Sequence, residues 1–170
     1  PVPGDGDLPV LRAAKTWRDA FQTEALPVLA ALLPDWLARQ RGFGDKSRPM
    51  KSVRIKDAVP LPAKRPAAFF LLVEVEFTEG DPRVYAPSLT VAGESEAREI
   101  RSRNPEAILA RVQSGKGKTL GFLLDAMLTP EFPRRLLAAL KRRQSIEVPG
   151  GRLVSTPGPG YPPSAATPGR

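Results

Sequence analysis

In 170 residues there is neither a cysteine nor a histidine, which excludes disulfides, thiol nucleophiles, thiolate and imidazole metal ligands, and a Ser-His-Asp triad. Lys and Arg number 26 against 18 Asp and Glu, and the 41% apolar content suits one domain with a real core. The cationic excess sits at one end: residues 129–170 hold seven basic and two acidic side chains, whereas the rest is nearly balanced. The high pI is therefore not a nucleic-acid footprint spread over the domain.

No run of eighteen apolar residues occurs, so no transmembrane helix and no membrane partner are expected. Pro1–Asp7 holds two prolines, two glycines and two aspartates and reads as linker, without the apolar core of a secretory signal. A cytoplasmic setting fits this and the missing cysteines. Leu8-Pro9-Val10-Leu11 is short, apolar and extended, and residues 1–15 together read as an N-terminal extension. Thr16 is placed to cap a short helix whose Trp17, Ala20 and Phe21 share a face as core anchors.

Pro27 opens a helix over roughly 27–41, with Val28, Leu29, Leu32 and Leu33 at helical spacing. Pro34 is expected to kink or restart it, and Trp36 and Leu37 continue the apolar side. Then come Arg39, Gln40, Arg41, Gly42, Phe43, Gly44, Asp45, Lys46 and Arg48: four cations within ten residues, one local acid, and two glycines able to turn the chain at positive φ. Such a cluster pairs with carboxylates, and Glu74, Glu76 and Asp57 on the following strands are the internal candidates.

Lys51–Val59 alternates as a half-buried strand, and a proline-rich loop covers Pro60–Pro66. Phe69–Phe77 is the clearest strand, apolar on both faces at first and then alternating, with Glu74 and Glu76 outward. Antiparallel pairing of the two sets Arg54 and Lys56 against these glutamates. A turn at Glu79–Pro82 leads to a third strand, Arg83–Val91; residues 92–103 read as loop or frayed helix. Pro105–Gln113 and Thr119–Ala126 form a two-strand ribbon around Ser114–Lys118. Thr129 and Pro130 start a last helix with Phe132, Leu136, Leu137 and Leu140 inward and Arg134, Arg135, Lys141, Arg142 and Arg143 outward. From Pro149 to Arg170, eleven of 22 residues are Pro or Gly, and a disordered tail is expected.

The pattern predicts an α+β fold: a helix before a meander of strands, then a basic C-terminal helix and a disordered tail. Chemistry is sparse. Gly117-Lys118-Thr119 matches the end of a phosphate loop, but Val112 stands where its first glycine belongs and no capped helix follows, so a hairpin turn is the simpler reading. Glu74 and Glu76 need further oxygen ligands to hold a metal, and solvated strand-face charges suffice to explain them. No catalytic, cofactor or metal set emerges. The alternative reading for the basic last helix is a nucleic-acid or anionic-surface binder.

Leu33-Pro-Asp-Trp-Leu-Ala-Arg-Gln-Arg-Gly-Phe-Gly-Asp-Lys-Ser-Arg48 resembles the motif of the N-terminal cap of bacterial maltokinases, L-P-x-[YW]-L-x-x-[QR]-R-W-F-G-x-K-x-R. Arg41, Phe43, Gly44, Lys46 and Arg48 fall on it; Gly42 replaces the motif tryptophan, and Asp45 stands where a small residue is usual. Val53–Leu61, Leu72–Gly80, Tyr85, Leu123–Ala126 with Asp125, and Gly151–Thr156 extend the likeness. Leu8–Leu11 and Trp17 resemble the segment joining a trehalose synthase to its fused kinase.

The resemblance implies a cystatin-like cap over residues 16–148, an N-terminal helix packed on a curved antiparallel sheet, flanked by the extension and by the tail from 149. It implies a parent enzyme of α-glucan and trehalose metabolism that phosphorylates maltose to maltose 1-phosphate with ATP and magnesium. The nucleotide and catalytic lobes of that family lie outside the likeness, so no cofactor is assigned to this chain. The implied role is a non-catalytic cap, a fragment or detached module, whose partners are kinase lobes or trehalose synthase in the same or another chain, not nucleic acid. Arg39, Gln40, Arg41, Phe43, Gly44, Lys46, Arg48 and Asp125 are its implied motif and docking residues, with an acidic or phosphate-bearing face of a kinase lobe as the counterpart.

Overall fold

A computed structural model describes residues 8–61, 68–148 and 151–158. The elements run β1 (Val10–Ala13), a 3-10 turn (Trp17–Phe21), α1 (Leu26–Arg39), β2 (Met50–Leu61), β3 (Ala68–Phe77), β4 (Arg83–Tyr85), β5 (Ser88–Ala92), α2 (Glu94–Arg103), β6 (Ile108–Ser114), β7 (Thr119–Asp125), α3 (Glu131–Lys141), β8 (Ser145–Val148) and β9 (Gly151–Val154). Seven strands form one curled sheet in the order β1-β6-β7-β5-β3-β2, with β4 also paired to β3. The α+β class and the helix on a curved sheet are as expected. The sheet, however, is mixed: β1 runs parallel to β6, with Leu11 beside Val112.

That pairing corrects the reading of residues 1–15 as an extension. Leu11 and Ala13 are fully inside the core, so the apolar alternation of this short segment reflects a buried strand. Residues 1–7 lie outside the described chain.

Alternation in β3 sends Phe69, Leu71, Val73, Val75 and Phe77 to the face covered by Leu29, Leu33, Trp36 and Leu37 of α1. The helix continues through Pro34 without restarting, because one missing hydrogen bond is outweighed by four buried side chains. Trp17, Phe21 and Phe69 close this core at one end, Phe21 and Phe69 stacking with centroids 4.0 Å apart. The 3-10 turn is held by Asp19, whose carboxylate accepts the Lys15 and Thr16 N–H groups at 2.7 and 2.8 Å.

The opposite face explains why the first half of β3 is apolar on both sides. Phe70 meets Phe132 of α3 edge to face at 5.8 Å. Phe122 and Leu124 of β7 likewise pack with Ala97 and Ile100 of α2, while Leu123 between them faces the α1 core. Of the two readings for this segment, loop or frayed helix, residues 94–103 take the helix: Ala97 and Ile100 sit one turn apart and cover the sheet.

The expected strand 83–91 is broken at Ala86–Pro87, leaving β4 and β5 end to end along β3. Proline has no N–H for the ladder, which ends the first piece. The expected register of β2 and β3 holds: Arg54 lies opposite Glu74 and pairs with it, and Lys56 reaches the same carboxylate at 3.0 Å.

At the C-terminal end α3 begins at Glu131, and Thr129 does not cap it; its buried hydroxyl donates to the Ala126 carbonyl at 2.8 Å. Leu137 is exposed, not inward. The hairpin of β8 and β9 sets Glu147 opposite Arg152, which moves the start of the expected tail beyond Val154. The Pro60–Pro66 loop and the tail from 159 onward lie partly or wholly outside the described residues.

Candidate functional site

The motif spanning the end of α1 and the start of β2 divides into two physically different halves. The later half is a clamp. Asp45 is buried, and its carboxylate accepts from Arg48 at 3.1 Å, from Arg83 at 3.1 Å and from the Tyr85 hydroxyl. The Tyr85 hydroxyl first, then Arg48 and Arg83, hold this carboxyl below its ordinary range, while burial opposes them. Burial and the Asp45 contact raise the Tyr85 phenol.

Arg48 also donates to the carbonyls of Glu79 at 2.7 Å and Asp81 at 3.3 Å, and its guanidinium lies 3.8 Å from the Phe77 ring centroid. One side chain therefore ties the junction to the Glu79–Pro82 turn. Gly80 of that turn has φ +80, and a Cβ there would lie 2.7 Å from the guanidinium. Phe43 is buried and packs on Tyr85 with centroids 4.9 Å apart.

This clamp corrects the expected pairing. Arg48 takes Asp45, not a strand glutamate. Glu74 is occupied by Arg54 and Lys56, Glu76 lies 3.9 Å from Lys51, and Asp57 accepts the Ala58 N–H. The glycine expectation is also corrected, since neither Gly42 nor Gly44 has positive φ; the turn is made by ordinary backbone with Phe43 N–H bonded to the Gln40 carbonyl at 3.2 Å.

The earlier half of the motif borders a cleft of about 990 Å³. Arg39, Gln40, Arg41, Gly42 and Phe43 form one wall, Tyr85–Pro87 another, and Asn104–Glu106 with Asp125 and Leu128 the far side. Gln40 spans the walls, its amide donating to the Trp36 carbonyl at 3.2 Å and to the Glu106 carbonyl at 3.0 Å. Arg39, Arg41 and Lys46 are exposed and form no ion pair among the described residues. Gly44 and Lys46 lie outside the cleft lining.

Asp125, at the end of β7, accepts the Met127 N–H at 2.9 Å and a hydrogen bond from buried Ser88. Burial nonetheless raises its carboxyl above the ordinary 3.8, chiefly by desolvating the charge. A raised folded-state pKa adds stability below the unfolded value and loses it as pH rises through the folded value. Asp125→Asn, which keeps an acceptor for Met127, is expected to melt above the wild type at pH 7 and to lose that advantage toward pH 3.8 and below, a comparison made by thermal melts across pH.

The parent chemistry would need a phosphate cradle and metal ligands. Ser114–Lys118 is a hairpin turn with Gly117 at φ +80 and β7, not a helix, after it. Among the described residues no three carboxylates stand together as a metal site, and no helix is long and apolar enough to cross a membrane.

The family model of the maltokinase N-terminal cap domain matches residues 36–128, more than half of the chain. The chain belongs to that cap family. The matched span begins at Trp36, just before the cleft-lining motif residues, and ends at Leu128, which also lines the cleft. It thus contains the whole clamp and nearly the whole cleft of this maltokinase cap. The likenesses at Leu8–Trp17 and Gly151–Thr156 fall outside it. No match was found among curated proteins.

Sequence reasoning singled out Arg48 but missed what it binds. Asp45 and Tyr85 are 40 residues apart, and only the folding of β4 against β3 joins them. The one available signal was a lone acid inside a basic stretch.

Proposed function

We propose that the chain is the non-catalytic cap module of a maltokinase, the parent reaction being transfer of the ATP γ-phosphoryl group to maltose to give maltose 1-phosphate. The kinase lobes are supplied by further polypeptide or by a separate partner, with a fused or associated trehalose synthase as the upstream source of maltose. The observation that carries this reading is the cap-family match over residues 36–128 together with the exposed cationic half of its motif.

The clamp gives the cap a fixed shape before any partner arrives, and Arg39 and Arg41 are left outward for contact. Arg41→Ala follows as the mild substitution of the motif: the isolated fold should change by less than about 0.5 kcal/mol, since no internal partner is lost.

Purified chain supplied with ATP, magnesium and maltose is expected to release no maltose 1-phosphate above background. Turnover by the chain alone would show that it carries kinase chemistry and would overturn the reading.

A further inference from the structure

The cleft is a mixed electrostatic site. Arg39, Arg41, Arg101 and Arg103 border it, against two acids, Glu106 and Asp125. Arg103 is engaged with Glu99 at 2.8 Å, whereas Arg39 and Arg41 have no ion pair among the described residues. The arginines elsewhere on the junction are tied down: Arg48 and Arg83 by Asp45, Arg54 by Glu74. Arg39 and Arg41 thus sit at one opening without an ion pair among the described residues, while Lys46 lies outside it.

The walls are not those of a small-anion site. The cleft's volume of about 990 Å³ far exceeds that of one phosphate. Trp36, Leu37, Tyr85, Pro87 and Leu128 give it apolar surface. Asp125 has hydrogen-bond donors beside it but no cation among the described residues.

We propose that this cleft receives an acidic polypeptide segment of the kinase lobe, its carboxylates on Arg39 and Arg41 and its apolar side chains against the Tyr85–Pro87 wall. Extended peptide suits the site because it offers N–H groups for Asp125 alongside its own carboxylates. Bidentate guanidinium–carboxylate contacts would fix its register. The inference rests on the cap reading and names the chemistry of its docking face.

The test titrates the whole chain with maltokinase lobes prepared without their own cap, following the binding isotherm at two salt concentrations. Three proteins are compared: wild type, the double variant Arg39→Glu/Arg41→Glu, and Arg134→Glu on α3 as a charge control. All three should melt alike, because none of the changed side chains is buried. The double reversal is expected to weaken binding at least tenfold and to flatten its salt dependence, with the control unchanged.

Equal binding by all three would overturn the acidic-segment proposal while leaving the cap reading standing. Equal loss in the control would show diffuse charge attraction and also overturn it. No binding by the wild type would overturn the cap reading and this inference with it.

Discussion

Gly121→Ala is expected to cost about 3 kcal/mol or more, lowering the melting midpoint by roughly 6–12 °C. Gly121 lies in β7 with φ +149, a backbone region that L side chains rarely adopt. A Cβ there would lie 2.4 Å from Val91 Cγ1 and 2.7 Å from the Ala92 carbonyl oxygen. The second contact is with backbone and cannot be relieved by a rotamer change. Strand β5 would have to move away from β7, and Val91 and Ala92 pair with Leu123 and Phe122 across that interface.

Gly117→Ala separates the two contributions. Gly117 has φ +80 but open space around its missing Cβ, so it should lose about 1 kcal/mol from conformation alone. Equal melting shifts for the two variants would show that the close approach of β5 to Gly121 is not tight.

Arg48→Ala is expected to cost about 2–3 kcal/mol. It removes two charge-assisted hydrogen bonds to the Glu79 and Asp81 carbonyls, the ring contact with Phe77 and one of the cations on Asp45. Asp45 retains Arg83 and Tyr85, which keeps the loss below that of a wholly orphaned carboxylate. Arg48→Lys should recover only part of the stability, because an ammonium cannot span Asp45 and two carbonyls while lying flat on a ring. Denaturant melts of the two variants check this. An Arg48→Ala midpoint equal to wild type would mean that the clamp does not hold the junction.

The strands were legible where their alternation was strong. Val73, Val75 and Phe77 fell inward and Glu74 outward as their spacing required, and Arg54 met Glu74 because one face of the β2–β3 pair is buried and fixes the register. Short elements were not legible. Val10–Ala13 has only two inward residues, and its place in the sheet comes from a partner about a hundred residues away in β6. Glu94–Arg103 left loop and frayed helix both open because eight of its ten residues are polar or charged, and Ala97 with Ile100 is a narrow apolar stripe. Hairpin β8–β9 was hidden by composition, since half of the residues from 149 to 170 are Pro or Gly and the second strand falls within that stretch.

At the candidate site the motif marked the right residues without separating their tasks. Arg39, Gln40, Arg41 and Phe43 converge on the cleft with Asp125, whose place depends on β7 reaching the same opening. Arg48 faces away into the clamp. The four cations look equivalent in sequence, and only the position of Asp45 distinguishes them: its carboxylate takes the one cation a helical turn ahead of it and one from β4.

The most direct measurement is association of the purified chain with cap-less maltokinase lobes, followed by sedimentation velocity at low and at physiological salt. The account predicts a one-to-one complex that sediments faster than either component and weakens as salt rises. Independent sedimentation of the two at every salt concentration would contradict it.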